Sequence, residues 1–501
     1  MGLQRLFGAS VLCGLLSTTA LHAMTPAEVW QKWKDFAAST GQTITTGSET
    51  VSGDTLVVSK ANFAATQADG KFNTAIDEIR FRDLGDGTVE VTTSPSYSIT
   101  VDGKSADGKA TNVAITVSQT NMRTIAGGSP ASTSYDVSAD SIAIATTSVT
   151  EDGVALPVNV NVVLTGAGGN YVMAEGSAGM VDLTSTFNAR SMAVSILADD
   201  QSNGSKVNLQ ANVASFAAVT NGTFGTMAQM EQLAAALTAG FATDFGFTYG
   251  PVNYSVDLTE NGAPTMIKGK SDGGSLGIAL DKTKMAFKGG GKGVEVLISG
   301  AQIPFPEVAI HYAQSAFDFW IPVSKSPEPQ NFTMVAKVIG LTVSDDIWAM
   351  FDPTATLPRD PATVILESKG TARLDADIMD EAAMAEAGQA PGQLQSFEIS
   401  AMQLTVGGAD FTGNGALTFD NSDLVTFQGM PAPTGKIDLK LVGGNGLLDK
   451  LIALGYVPED QAIGVRMMMG LFARPGDGPD TLTSTVEFKD KGLFANGMQL
   501  Q

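Results

Sequence analysis

Cysteine is almost missing from this chain of 501 residues, which has one, and histidine is nearly as scarce, with two. A Cys/His zinc site, a bis-imidazole haem and an iron–sulfur cluster each need more such ligands than that. Cys13 and His22 both lie in the first 23 residues, so a chain processed there keeps only His311. It then has no thiol nucleophile, and any Ser-His-Asp chemistry has to run through His311. Basic residues are outnumbered, 30 Lys and Arg against 52 Asp and Glu. That balance excludes the clustered cations needed to bind a nucleic-acid backbone. Beyond the N terminus no stretch reaches the roughly 18 apolar residues of a membrane-spanning helix. Disulfides are dispensable, because a chain this long can bury its own core.

What is present begins with an address. Arg5, then an apolar run from Leu6 to Leu21, then the small residue Ala23 and the polar Thr25-Pro26 have the layout of a secretory signal peptide. Cleavage after Ala23 predicts a periplasmic protein beginning at Met24, with no transmembrane segment left. The run is short for a membrane span, though an uncleaved anchor is the alternative. Cys13 sits mid-run behind Leu12, not behind a small residue, so lipidation is rejected.

Thr25-Pro26-Ala27-Glu28 forms a capping box with proline at the first helical position. The helix it opens carries Val29, Trp30, Trp33 and Phe36 on one face. Two readings stand: docking by its tryptophans onto a sheet, or a membrane-surface or lid helix. From about Thr43 to Phe224 the pattern changes to period two, as in Tyr97, Ile99, Val101 and in Val154, Leu156, Val158, Val160, Val162, Leu164. Such alternation marks half-buried antiparallel strands. Asp-Gly and Asn-Gly pairs, among them Asp152-Gly153 and Asn261-Gly262, supply two-residue hairpin turns.

The predicted domains are a signal over 1–23, an N-terminal helix with a first β-rich lobe over 24–225, and a second β-rich lobe over 226–501. Helical inserts are expected near 227–239, 345–351, 377–387 and 447–473. The fold class is mainly β (β-rich α+β): a large curved antiparallel sheet of hairpin meanders, with helical inserts covering one face.

Catalytic motifs dissolve on inspection. Gly269-Lys270-Ser271-Asp272-Gly273 has the G-x-S-x-G spacing of a nucleophile elbow, but a strand follows where a helix is required. Lys288-Gly289-Gly290-Gly291-Lys292-Gly293 lacks the first glycine and the Ser/Thr of a phosphate-binding loop. Both are read as turns. Asp199-Asp200 and Asp83–Gly87 resemble the front of a calcium loop, but Gln210 stands where the closing Glu belongs. Asp375, Asp377, Asp380 and Glu381 could pair for glycoside hydrolysis. Without aromatic sugar platforms beside them, acids at a helix N-terminus explain the cluster more simply. No catalytic residue, metal ligand or cofactor is therefore assigned, and the protein is read as a non-enzyme.

Twenty methionines, with Met467-Met468-Met469 in a late helix, suit either a surface for apolar ligands or core filling. Leu341-Thr342-Val343-Ser344-Asp345-Asp346-Ile347-Trp348-Ala349-Met350-Phe351-Asp352-Pro353, followed by Leu357-Pro358-Arg359-Asp360-Pro361-Ala362 and Gly370-Thr371-Ala372, resembles the signature of the DUF2125 family. The resemblance implies an uncharacterised envelope protein of alphaproteobacteria and carries over no functional residues. Read from the residues, Trp348 and Phe351 form an apolar plug, and Arg359 pairs with Asp352 or Asp360. The leading expectation is an exported protein that binds or carries an apolar ligand, a lipid, in a β-sheet groove. The weak candidates for contact are Trp348, Phe351 and Met468. The alternative is a structural or adaptor protein with a packed interior, whose partner is another envelope protein.

Overall fold

A computed structural model describes residues 24–500 except 40, 68–69, 130, 201–203, 226–231 and 388–390. Residues 1–23, the expected signal, lie outside the described residues. Thirty strands join one sheet, every pairing antiparallel. The fold class is therefore mainly β, as the alternation predicts. Hairpin turns fall where Asp152-Gly153 and Asn261-Gly262 place them, each pair with positive φ.

The strands follow one another across the sheet from the N-terminal edge. Gln42–Thr45 and Ser48–Ser52 both pair with Thr55–Gln67, which pairs with Gly70–Asp83. Further on, the long strands Ser132–Glu151 and Val158–Glu175 lie side by side. Beyond them the ribbon divides into two arms. One runs through Val181–Ala189, Phe216–Phe224, Ala242–Tyr249 and Gly273–Leu280. The other runs through Ser191–Asp200, Ser205–Val213, Val252–Glu260 and Ala263–Ser271. Both arms rejoin on the single strand Lys284–Gly300. From there the strands continue in file to Thr481–Lys489. Strands before and after the expected boundary at 225 thus belong to one sheet.

The line between the arms is a crease, and its cause is one extra residue per strand. In Val158–Glu175 the apolar positions are Val158, Val160, Val162 and Leu164, then Ala167, Tyr171 and Met173. The phase slips at Gly166, which has φ +59°. Similar interruptions fall at Arg190, at residues 214–215 and 250–251, at Asp272, and at Gly293 and Gly340. The pairs on either side stay in register, Thr165 with Ser141 and Ala167 with Ala139, so the irregular residues line up from strand to strand. A one-residue slip of phase would otherwise turn the apolar set to the other face; here the irregular residue restores it. Tyr171, in one arm, and Tyr97, linked to Val162 through Val117 and Ile144, pack against the same buried cluster.

This corrects two readings made from spacing. Gly269–Gly273 and Lys288–Gly293 are not hairpin turns but points where strands cross the crease; Lys284–Gly300 is one continuous strand. At Gly293, φ is +55° and a side chain would collide with the Asp272 carboxylate.

The helices sit at one end and along the rims. Pro26–Ser39 is opened by the capping box: Thr25 N–H donates to Glu28 Oε2 at 2.9 Å and Glu28 N–H to Thr25 Oγ1 at 3.3 Å. Trp30 is fully buried against Phe81 and Phe63, at 5.6 and 6.4 Å between ring centres. The helix is therefore docked on the sheet, not a lid. Leu233–Ala239 packs with Met180, Phe241 and Phe224, and residues 227–231 of that predicted helix lie outside the described residues. Asp345–Phe351 forms as predicted. The other inserts are Glu381–Ala387 and the pair Gly444–Ala453 and Glu459–Phe472.

Candidate functional site

Paired residues in an antiparallel ladder share a face, so the registers identify which side chains stand together. From Phe81 the registers run through Val91, Thr124, Val137, Gly169, Phe187, Ala218, Phe247, Leu276 and Gly289 to Phe317. Two residues along, on the same face, Ile278, Phe287, Phe319, Met334, Ser368 and Ile399 form a parallel row. Alternate residues on the same strands add Phe317, Phe332, Val364, Leu366 and Leu404. Stacked rings line it: Phe317 with Phe319 at 6.1 Å, Phe332 with Phe397 at 6.4 Å, Phe216 with Phe247 at 5.9 Å. Glycines lie under the rings. A side chain at Gly289 would come within 2.9 Å of Phe317 Cζ, which is why the glycine run sits mid-strand.

The opposite face is polar. Lys337 pairs with Glu367, Lys369 with Glu398 at 3.2 Å, and Lys270 with Glu295 at 3.1 Å. The sheet therefore has one apolar and one charged side. Its apolar side is most deeply covered at the N-terminal end, where Met24, Trp30, Val58, Ile79, Phe81 and Val89 are fully buried. In the middle, Phe319 is 37% exposed, Met334 41% and Val364 47%. Exposed apolar side chains contiguous over several strands mark binding surfaces in folded proteins. At about 4.8 Å per strand, the dozen or so strands from Ser132 onward extend this face over roughly 60 Å.

Trp348 and Phe351 are brought together, their rings 4.9 Å apart, with Arg359 stacked over Trp348 at 5.9 Å. Both stand at the rim, half-buried. Tyr456 Oη donates to the Phe351 carbonyl at 2.9 Å, tying this helix to the C-terminal helix pair. Met468, on Glu459–Phe472, is exposed to solvent. Arg359 pairs with Asp345, not with Asp352 or Asp360. Asp352 is fully buried and accepts from the N–H groups of Thr356 at 2.8 Å and Leu357 at 2.7 Å. Burial pushes its carboxyl up, but those two donors and the Arg359 charge outweigh it and hold the group below the usual carboxylate range. Asp352 thus anchors the loop behind Trp348.

The carboxylate cluster is structural. Asp380 accepts from Ala382 and Ala383 N–H at the start of Glu381–Ala387, Asp377 from Lys325 N–H, and Asp375 pairs with Arg373. Among the described residues no group of three or more His, Cys, Asp or Glu is placed to hold a metal. The acidic turns bond to their own backbone, as Asp86 does to Thr88. Residues 201–203 of the other calcium-like segment lie outside the described residues. His311 is exposed on the polar face, opposite Glu295 and Thr342. The apolar ladder itself was missed in the sequence because the crease breaks each strand's alternation in two; the phase slip at Gly166 was its signal.

Fold and site define an acidic protein built as one long antiparallel sheet with an apolar and a charged side. Residues 322–500 are similar to the family model described as "Uncharacterized protein conserved in bacteria (DUF2125)". The match covers the sheet from Gln330–Val343 onward and the helices beside it. No curated protein and no solved structure matches the chain.

Proposed function

We propose that the protein is an exported, non-enzymatic envelope protein that holds an apolar lipid chain against the open face of its sheet. The observation that carries this reading is the register-linked row Phe287, Phe319, Met334, with Val364, Leu366 and Leu404 beside it, all partly open to solvent. An adaptor with a packed interior would bury these residues as fully as Trp30. Trp348 and Phe351 flank the surface at its rim. Burying about 12 methylenes at about 0.8 kcal/mol each gives roughly 10 kcal/mol before association costs, enough for micromolar binding.

The test is titration of a fluorescent fatty acid into the purified protein, with Phe319→Glu and Met334→Glu alongside. The wild type should bind in the micromolar range and each variant at least tenfold more weakly, with circular dichroism unchanged. A folded wild type that takes up no fatty acid sinks the reading and leaves the adaptor in its place.

A further inference from the structure

The apolar side of the sheet is much longer than one acyl chain. Ile144, on Ser132–Glu151, and Leu404, on Gly392–Val406, stand toward its two ends, 37% and 45% exposed. Ten ladder steps separate those strands along the arm through Ser191–Asp200. At about 4.8 Å per step the distance is roughly 50 Å. On that arm the registers from Val160, Val162 and Leu164 reach Ile267, Gly269 and Ser271 without an acidic or basic side chain. On the other arm those from Ala189, Gly169 and Tyr171 reach Leu404, Met402 and Ile399, again without one. Tyr171, in one arm, and Tyr97, in register with Val162 of the other, pack on the same buried cluster. The two arms therefore face each other across the crease, and the apolar side is a trough. A second copy laid over a trough would enclose a tube, not fill one.

We infer, resting on the lipid-holding reading, that this trough carries acyl chains in file and selects them by the tail, whatever the headgroup. One chain spans half of a ~30 Å bilayer core, so about three fit end to end along the trough. The first lies over Phe319 and Met334. Leu404 is three ladder steps beyond Phe319, and Ile144 is seven steps before it. At about 4.8 Å per step both stand outside a chain centred on Phe319, where the next chains would lie. A polar headgroup moved into these registers would lose its water and find no charged partner, a cost of a few kcal/mol. It therefore stays at the open rim, and the trough has no means of telling one headgroup from another.

The experiment is equilibrium dialysis of the full chain against radiolabelled palmitate and, separately, radiolabelled 1-monopalmitoylglycerol, each below its aggregation concentration. Wild type is compared with Ile144→Glu/Leu404→Glu. Wild type should take up about three molecules of either probe, as the trough length requires. The double variant should take up one, with an affinity for it within twofold of the first wild-type site. A wild-type plateau of one overturns the file, whether or not the variant folds. An unchanged plateau in a variant with the wild-type melting curve also overturns it, because the added chains would then lie elsewhere. Palmitate taken up without monopalmitoylglycerol overturns selection by the tail. No uptake of either probe discards the lipid-holding reading itself.

Discussion

Two regions of the apolar face, its N-terminal end and its middle, are written in the same residues and meet different fates. Near the N terminus Phe81 is completely buried, beneath Trp30 and Trp33 at 5.6 and 5.4 Å. Farther along, Phe319 stands on the same side of the sheet and is more than one-third exposed. Both alternate with polar neighbours, Arg80 and Arg82 in one case and Asp318 in the other. Period-two patterning decides which side of a strand is apolar; it carries no information about what covers that side. Cover comes from a separate segment, and only the N-terminal end has received a helix with two tryptophans.

The largest effect should follow from removing that cover. Trp30→Ala should cost about 3–5 kcal/mol, as truncation of a fully buried aromatic does. Phe319→Ala should cost under about 1 kcal/mol, as for a partly exposed residue. Urea unfolding of both variants measures the contrast, and equal losses would mean that the two regions are packed alike.

A smaller effect tests whether the open face is nevertheless ordered. Gly289→Val places a side chain where Phe317 and the Ser275 carbonyl already lie. It should destabilise by about 1–3 kcal/mol, the usual cost of overpacking. Should thermal melting show no change, the ring of Phe317 is free to move aside and the face is more pliable than its stacked rings imply.

The smallest effect belongs to the charged side behind the plugged end. Glu90 accepts from both Arg82 and Arg123. Burial acts to raise its carboxyl, but the two guanidinium groups outweigh this and lower it. A depressed carboxylate contributes stability that is complete above its unfolded value near 4.3 and lost as pH falls through the lower folded value. Glu90→Gln should therefore cost no more than about 1 kcal/mol at pH 7, the exposed pair being screened, and progressively less as the pH falls below the unfolded value. Melting temperatures across that range check the sign.

Much of this was legible in the sequence. The capping box at Thr25 and Glu28, the hairpins at Asp152-Gly153 and Asn261-Gly262, and the helix from Asp345 to Phe351 each rest on local chemistry that neighbours in the chain specify. The crease was not legible. Gly293 and Asp272 read as turn residues because glycine beside acidic residues has the same local preference in a turn and where a strand crosses the crease; only pairing across the sheet separates them. Arg359 went to the wrong aspartate for a similar reason. Asp352 is nearer in sequence than Asp345, but its oxygens are already engaged by the N–H groups of Thr356 and Leu357. The open face could be foreseen only as composition, since exposure depends on the segments that fail to reach it.

The order of the strands has a consequence for how the molecule comes apart. Along most of the ribbon each strand bonds only to those a few positions away in the chain, as in a row of zipper teeth. In such an array stability is a sum of each tooth and its junctions, and opening spreads inward from an end. The two ends differ. One is clasped by the tryptophan-bearing helix, and the other finishes in the two-residue strand Met498–Gln499. Unzipping should then begin at the C terminus, and amide protons should exchange in that order, fastest near Leu493 and slowest near Phe81.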